Sequence, residues 1–249
     1  GTISATGTEN NDNGNFSSVG KGVVVNAGDG NDSLTFSGEL LGADISLDKG
    51  ADTASFQDLT GTVAGGDGTD SMVINQDATK AKVTGSGGND TITVTGNAES
   101  QTTLNGGADN DSITVTGVLN ASTIYGGKQD DIITVTGGIT NGTVRGDNDE
   151  DTINIGAGAL TNAFVMGGAD DDTIDIASTS ATSSKIFGGK GADSIRLTST
   201  ASLNVSGDKG DDIILVTGTA ASTLSGGEGA DTITGGAGAE SILGGIGAD

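Results

Sequence analysis

The sequence predicts an all-β fold: a parallel β-solenoid of about twelve coils, each with two short strands and about 20 residues. First, a glycine-rich loop ending in a carboxylate recurs at a nearly constant interval. Second, aliphatic residues stand at fixed distances before and after each carboxylate. Third, the 249 residues include only five Phe, one Tyr and no Trp, so a globular core built on aromatic side chains is not expected.

The repeated loop has six positions and is clearest at residues 226–231, which read Gly-Gly-Glu-Gly-Ala-Asp. The same frame occurs at residues 65–70, 188–193 and 244–249, and looser copies fill most of the chain. The acids at the sixth position are Asp32, Asp52, Asp70, Asp90, Asp111, Asp131, Asp151, Asp172, Asp193, Asp212, Asp231 and Asp249. Successive acids lie 18 to 21 residues apart. A further frame ends at Glu240, midway between the last two, which predicts that Glu240 lies on the opposite edge of the solenoid.

Aliphatic residues follow the same register. The residues seven positions before the twelve acids are Val25, Ile45, Val63, Val83, Leu104, Ile124, Val144, Val165, Ile186, Val205, Leu224 and Ile242. Two and four positions after most acids stand further apolar residues, as in Ile92 and Val94, with Thr or Ser between them. This alternation is typical of a strand with one buried face. Stacked coils would therefore enclose a thin aliphatic core.

The domain boundaries follow from the fit to this register. Residues 1–22 fit poorly, and we interpret them as an N-terminal cap or a degenerate coil. Residues 23–249 contain no linker or change of composition, so they form one solenoid domain. A site at Glu240 would need a partner loop about 18 residues further on. We therefore expect the array to continue beyond residue 249.

Charge limits the classes of partner. The chain has 34 acids and 10 bases, a net charge of −24, which argues against a nucleic-acid partner. It has no His and no Cys, so zinc and copper sites are disfavoured. Oxygen ligands alone favour a hard cation, calcium before magnesium. No apolar run approaches the roughly 20 residues of a membrane-spanning segment.

The spacing of the acids predicts how calcium would bind. A tight glycine loop can turn backbone carbonyls inward, and its Asp adds a charged oxygen, so two stacked loops could supply the six to eight oxygens that calcium takes. Twelve acids on one edge leave eleven gaps, so up to eleven Ca2+ ions would form one column. Eleven such ions would add +22 to the net charge of −24, leaving −2. The predicted ligands are the twelve Asp residues of the register, with Glu240 on the other edge.

The frame Gly-Gly-x-Gly-x-Asp-x-aliphatic, seen at residues 65–72, 188–195 and 226–233, resembles the calcium-binding nonapeptide repeat of RTX (haemolysin-type) proteins. The resemblance implies a right-handed β-roll, folding triggered by calcium, and secretion. It is closest in kind to the divergent arrays of bacterial surface-layer or adhesin-type proteins.

The departures from the RTX repeat are specific. RTX coils have 18 residues and a calcium loop at both turns, whereas most coils here have 19–21 residues and one such loop. The plain turn carries few acids, Glu99 being the exception. Leu47 replaces the first glycine of the Asp52 loop. Asp109, Gln129, Asp149 and Asp170 replace the fourth-position glycine. If that position requires a positive φ, Asp is tolerable there and Gln129 is the least suited. We expect distorted or empty sites in these loops.

Taken together, these features predict a secreted, non-enzymatic structural module of a surface layer, adhesin stalk or extracellular filament at the cell surface. Its partners would be calcium ions, other copies of itself or cell-surface glycans. Two alternatives remain open: the repeat or secretion module of a larger RTX enzyme, and an ice- or glycan-binding solenoid. The cue for the last is a threonine-rich array formed by Thr91, Thr93, Thr95, Ser112, Thr114, Thr116, Thr134 and Thr136.

Overall fold

The computed structural model describes residues 4–17 and 20–249. Within these ranges the chain forms strands and turns and no helix, so no helix there could cross a membrane. Its strands pair in parallel with equivalent strands one coil away, as in Val63 with Val83 and Ile92 with Ile113. This arrangement is a parallel β-solenoid of about twelve coils, so the predicted fold class is confirmed.

One wall of the solenoid is a parallel sheet of 12 strands within the described residues. Each strand follows the Asp of a glycine loop, because the alternating apolar residues after that Asp bury one face. The strands are Asn13–Phe16, Ser33–Phe36, Thr53–Phe56, Ser71–Ile74, Thr91–Val94, Ser112–Val115, Ile132–Val135, Thr152–Ile155, Thr173–Ile176, Ser194–Leu197, Ile213–Val216 and Thr232–Thr234.

The second sheet has 19 strands in the described part of the chain and wraps around the rest of each coil. Its strands are Ser4–Thr6, Gly20–Lys21, Val24–Asn26, Leu40–Lys49, Leu59–Asp67, Ala78–Gly87, Ala98–Glu99, Thr103–Ala108, Leu119–Asn120, Thr123–Gly127, Gly138–Thr140, Thr143–Asn148, Ala159–Thr161, Phe164–Ala169, Ser180–Thr182, Lys185–Lys190, Asn204–Lys209, Thr223–Glu228 and Ser241–Ile246.

The 19-stranded sheet corrects one detail of the prediction, which gave each coil two strands. Several coils have a third, short strand in the plain turn, such as Leu119–Asn120 between Ser112–Val115 and Thr123–Gly127. The reason is a further column of apolar residues that faces the core. Leu59, Leu119 and Ile139 belong to it and are fully buried.

The core has the predicted aliphatic columns. Of the twelve residues seven positions before each Asp, eleven are buried, with exposed fractions between 0% and 4%. The twelfth, Ile242, is 50% exposed and pairs with Leu224 of the preceding coil. At the other end Phe36 stacks between Phe16 and Phe56, with ring centroids 4.7 and 5.2 Å apart, and fills the core of the first coils.

Residues 4–17 continue the register of the later coils. Ser4–Thr6 pairs with Val24–Asn26, and Asn13–Phe16 pairs with Ser33–Phe36. This early coil carries its own acid, Asp12, twenty residues before Asp32.

Candidate metal centre

The predicted acids line the interior of one turn of the solenoid. The first eleven, from Asp32 to Asp231, are only 1% to 5% exposed. Asp249, the last residue of the sequence, is exposed. The structure therefore brings the whole Asp register together as a column, with its carboxylates inside the turn.

A hydrogen-bond ladder fixes one oxygen of each carboxylate. The Oδ1 atom accepts a bond from the backbone N–H of the Asp one coil earlier, as when Asp111 N–H donates to Asp131 at 2.7 Å. The same bond recurs from Asp12, which donates to Asp32 at 2.7 Å, through to Asp231, which donates to Asp249 at 3.3 Å. Because Oδ1 already accepts a bond from the preceding coil, Oδ2 is the oxygen with its full capacity left to bind a ligand.

The second oxygen is buried and has no hydrogen-bond partner. This holds for Oδ2 of Asp32, Asp52, Asp70, Asp90, Asp111, Asp131, Asp151, Asp172, Asp193, Asp212 and Asp231. A buried carboxylate oxygen without a partner is costly and rare in stable proteins. Eleven of them in one column form an acceptor set that fits a divalent cation.

The first glycine of each loop makes room for this oxygen. At Gly126 an added Cβ would overlap both Oδ2 of Asp131 and the carbonyl oxygen of Gly146 in the next coil. The first-position glycines Gly65, Gly85, Gly106, Gly146, Gly167, Gly188, Gly207, Gly226 and Gly244 are equally close to Oδ2 of their own Asp. The recurrent spacing of five residues between glycine and Asp thus has a steric cause, and a carboxylate and a carbonyl oxygen converge there.

Burial also shifts the acidity of these groups. Burial is the largest cause, and it raises the pKa of Asp52 and Asp212 to about 6 and that of Asp90, Asp111, Asp131 and Asp193 to about 7. It raises the pKa of Asp151 and Asp172 to about 8, and that of Asp70 above its ordinary value. The backbone N–H bond lowers each pKa, while neighbouring acids raise most of them further.

The second and fourth loop positions take a left-handed backbone. Glycines there have φ values such as 120° at Gly66 and 133° at Gly68, which are accessible to glycine alone. Where another residue occurs, φ falls toward the left-handed helical region, to 69° at Asp48 and 64° at Gln129. The fourth position therefore does require a positive φ.

A non-glycine residue at the fourth position accepts, through its side chain, the bond from the loop before it. Where both loops have glycine there, the fourth-position N–H donates to a backbone carbonyl of the next coil, as from Gly68 to Gly87 at 2.7 Å. Where the next loop has another residue, the acceptor is its side chain: Gly88 N–H donates to Oδ2 of Asp109 at 3.0 Å, and Asp109 N–H donates to Oε1 of Gln129 at 2.8 Å. Gln129 N–H likewise donates to Oδ2 of Asp149 at 3.0 Å. These loops keep the turn and the buried Asp, so their substitutions do not displace the column.

Two loops near the start are less suited to a cation. Leu47, fully buried, and Ala27, 2% exposed, stand where the other loops have their first glycine. Their side chains fill space that glycine leaves open beside Asp52 and Asp32. The fit to a cation is therefore poorest there.

The structure adds one acid to the predicted set. Asp12 is half-buried, and its Oδ2 accepts bonds from the backbone and side chain of Thr8. The signal in the sequence is Gly7, which stands five positions earlier like the first glycine of the later loops.

Glu240 lies in the loop that stacks on the plain turn of the preceding coil. Ala237 N–H donates to Gly218 and Ser241 N–H donates to Ser222 across this contact. Its Oε1 accepts a bond from the N–H of Gly236 at 3.2 Å.

The plain turn is more acidic than expected. Besides Glu99 it contains Asp58 and Asp77, and Oδ1 of Asp58 accepts the N–H of Asp77 at 3.1 Å. Asp77 in turn accepts the N–H of Asn97 at 2.7 Å. These side chains are half-buried rather than enclosed. The series of side-chain hydrogen bonds ends at Val118, which donates its N–H to Asn97 Oδ1 but has no side-chain acceptor for the next coil.

The donor set suits calcium better than a transition metal. No three acidic side chains of the described residues gather at one point. A cation in the column would therefore take carboxylate Oδ2 atoms together with backbone carbonyls, which is a calcium-type shell.

Comparison with known proteins agrees with this geometry. The RTX calcium-binding nonapeptide repeat matches residues 114–141 and 216–249 in four copies. The resemblance to RTX proteins is confirmed. These RTX repeats include the loops that end at Asp131, Asp231, Glu240 and Asp249. The chain is thus a β-solenoid whose two matched segments carry RTX-type calcium-binding repeats.

One solved structure has a similar fold. It is the crystal structure of a hyperactive, Ca2+-dependent, β-helical antifreeze protein from an Antarctic bacterium. The TM-score is 0.60 at 18% identity, over 94% of this chain and 80% of that chain. At this identity the likeness establishes the fold alone. No curated protein matches the chain.

Proposed function

We propose that the chain is an extracellular structural module, a rod that folds and stiffens when calcium fills the Asp column. It would be a secreted, non-catalytic part of a surface layer, an adhesin stalk or an extracellular filament. Asp32 through Asp249 of the register would be the ligands in the column, up to eleven ions in all, and Glu240 would serve the opposite edge.

The buried Oδ2 atoms are the observation that carries this proposal. Withdrawing an ionised carboxylate from water without a partner costs several kcal/mol, and a whole domain is stable by only about 5–15 kcal/mol. Eleven such groups cannot all stay ionised in a stable fold that lacks counter-charge. Calcium supplies that divalent charge when bound.

The chain's own atoms prepare the site. The N–H ladder holds each carboxylate at a fixed angle, so that Oδ2 of Asp131 and the carbonyl oxygen of Gly146 converge beside Gly126. The glycine loops keep side chains out of that space. Because each site would draw on two successive coils, binding would lock neighbouring coils together and favour a rigid rod.

Far-ultraviolet circular dichroism and sedimentation velocity, with calcium and with chelator, test the proposal. We expect the β signal and the compact sedimentation profile to require calcium, and magnesium at equal concentration to replace it poorly, since magnesium demands a small octahedral shell. An unchanged β signal and unchanged sedimentation in chelator would refute calcium-coupled folding.

Ice binding is the second candidate, supported by a row of threonines on adjacent strands of the 12-stranded sheet. Thr93, Thr114 and Thr134 lie in register on adjacent strands, and the similar solved structure is of an antifreeze protein. Asn154 and Asp175 continue the row and break its uniformity. Thermal hysteresis of the calcium-loaded chain would support this function, whereas its absence would leave the structural module alone.

A further inference from the structure

A shallow groove of about 520 Å3 lies on the outer face of the 19-stranded sheet. Asn105, Tyr125 and Arg145 occupy equivalent positions on three adjacent strands and form one wall. Lys128 and Asn148 line it on the loop side, and the backbone of Gly107 and Gly127 also lines it. We call this the Tyr125 groove.

The groove contains polar groups without a protein partner. Asp147 accepts a bond from Nε of Arg145 at 2.7 Å, and within the described residues neither Nη group of Arg145 donates one. Lys128 forms no ion pair, and the Tyr125 hydroxyl makes no hydrogen bond, in that same part of the chain. The guanidinium is thus oriented by Asp147 while its outer donors stay available to a ligand.

Arg196 on the other sheet provides a contrast. Its Nε and Nη2 both donate to the carboxylate of Asp175, at 2.7 and 3.0 Å. Its carboxylate-binding donors are therefore already used, whereas those of Arg145 are not. The difference separates a structural ion pair from a recognition site.

The charge of the groove favours an anionic ligand. Lys128 and Arg145 contribute two positive charges against one negative charge from Asp147, in a chain whose net charge is −24. A guanidinium with free Nη groups binds a carboxylate in a planar, bidentate fashion. The free Nη groups therefore suit an oxyanion, of which the carboxylate is the planar case.

The shape of the groove favours a sugar over a peptide. The backbone groups of the strands are already paired with the coils on either side, so an extended peptide has no open sheet edge to join here. One tyrosine ring, the amides of Asn105 and Asn148 and a glycine backbone offer a platform with hydrogen-bond donors. One N–H of the Asn148 amide is already used, since Nδ2 donates to the carbonyl of Gly127 at 3.3 Å. An aromatic face packs against the C–H bonds of a sugar ring, and amides and cations bind its hydroxyl and carboxylate oxygens.

We infer that the Tyr125 groove binds an acidic polysaccharide, with a uronic-acid ring against Tyr125 and its carboxylate on Arg145 and Lys128. The site is distinct from the calcium column and does not depend on the proposed role of the rod. Its ligand class is an anionic glycan that carries carboxylates rather than a neutral glycan.

The test uses the whole chain in excess calcium, with hyaluronan oligosaccharides as the acidic probe and chito-oligosaccharides as the neutral one, measured by isothermal titration calorimetry. We expect the acidic probe to bind more tightly. Tyr125→Ala and Arg145→Gln should each weaken it by about tenfold or more, since each removes a direct contact. Arg196→Gln is the matched control and should leave affinity unchanged. Circular dichroism of each variant, in calcium and in chelator, monitors folding separately.

Three results would overturn the inference. One is no binding of the acidic probe, or equal binding of the neutral probe. Another is binding that both groove variants leave intact, because calcium then bridges the glycan to the acidic edge. The third is self-association in sedimentation that Tyr125→Ala abolishes, because the groove is then a contact between copies of the chain.

Discussion

Replacing Asp131 with Asn changes a single atom of the proposed column. The side chain is 1% exposed, its Oδ1 accepts the N–H of Asp111 at 2.7 Å, and its Oδ2 has no partner. Asn keeps the oxygen that accepts this bond and replaces the oxygen without a partner by an amide NH2 group. That group can donate to the carbonyl of Gly146, which lies beside the same glycine.

The expected gain without calcium follows from the acidity of this group. Burial raises the pKa of Asp131 from 3.8 to about 7. Each pKa unit corresponds to about 1.4 kcal/mol, so near pH 7 the carboxyl lowers the free energy of unfolding by about 4 kcal/mol at most. The Asn variant avoids that cost. We expect it to stabilise the calcium-free chain by about 1–4 kcal/mol, depending on how well the new amide is bonded.

In calcium, Asp131→Asn should lower the free energy of unfolding instead of raising it, because Asn removes a charged ligand. The variant should then be less stable than the parent chain. Urea unfolding in chelator and in excess calcium measures both effects. Asp130→Asn is the control: it makes the same charge change at an exposed neighbour whose Oδ1 accepts the N–H of Glu150. Equal destabilisation by Asp131→Asn in both conditions would refute the reasoning, as would the same pair of effects from Asp130→Asn.

Four further predictions concern other parts of the fold. Without calcium, the free energy of unfolding measured in urea should fall as the pH rises from about 4 to 8. The reason is that the folded chain keeps protons on carboxyls whose pKa is raised to about 6 to 8, whereas unfolded carboxyls release them near 3.8. In excess calcium the free energy of unfolding should instead rise with pH. Gly126→Ala should lower the free energy of unfolding by more than about 2 kcal/mol and weaken calcium binding in calorimetry, since the methyl overlaps Oδ2 of Asp131. Gly87→Ala is its control and should change the free energy of unfolding by less than about 1 kcal/mol, because the nearest atom to the new methyl would be 4.0 Å away. Phe36→Ala should lower the free energy of unfolding by about 3–5 kcal/mol in calcium. The loss should be equal in chelator under conditions where the chain is still folded, because the stacked ring belongs to the core and not to the metal site. Gln129→Ala should lower the thermal midpoint, since it loses the bond from Asp109 but keeps φ near 64°, and Gln129→Gly should be nearly neutral, because relief of backbone strain offsets the lost bond.

Periodicity made most of the fold predictable. In a solenoid each residue pairs with the equivalent residue one coil away, as Val63 pairs with Val83 and Val83 with Leu104. An apolar residue repeated at one position therefore predicts that the position is buried. The same repetition located the buried Asp column. Single residues in a globular fold give no such internal check.

The features that sequence reasoning missed depend on stacking rather than on spacing. The third strand escaped notice because its core residue falls at unequal distances from the loop, seven residues after Asp52 at Leu59 and nine after Asp151 at Leu160. Asp12 was missed because its coil has Gly14 where later coils have an aliphatic residue.

The role of each carboxylate oxygen was also beyond the sequence. The bond from the Asp111 N–H to Asp131 depends on how far one coil is offset from the next, and that offset is a property of the stack. The steric reason for the first glycine is likewise visible only once Oδ2 of Asp131 lies beside Gly126.

The most direct test of the calcium column is a count of bound ions. Native mass spectrometry of the calcium-equilibrated chain should show several Ca2+ ions per molecule, up to eleven, and Asp131→Asn should bind at least one fewer. Their removal should abolish the β signal in circular dichroism. A chain that binds no calcium, or that keeps its full β signal after every ion is removed, would contradict the account.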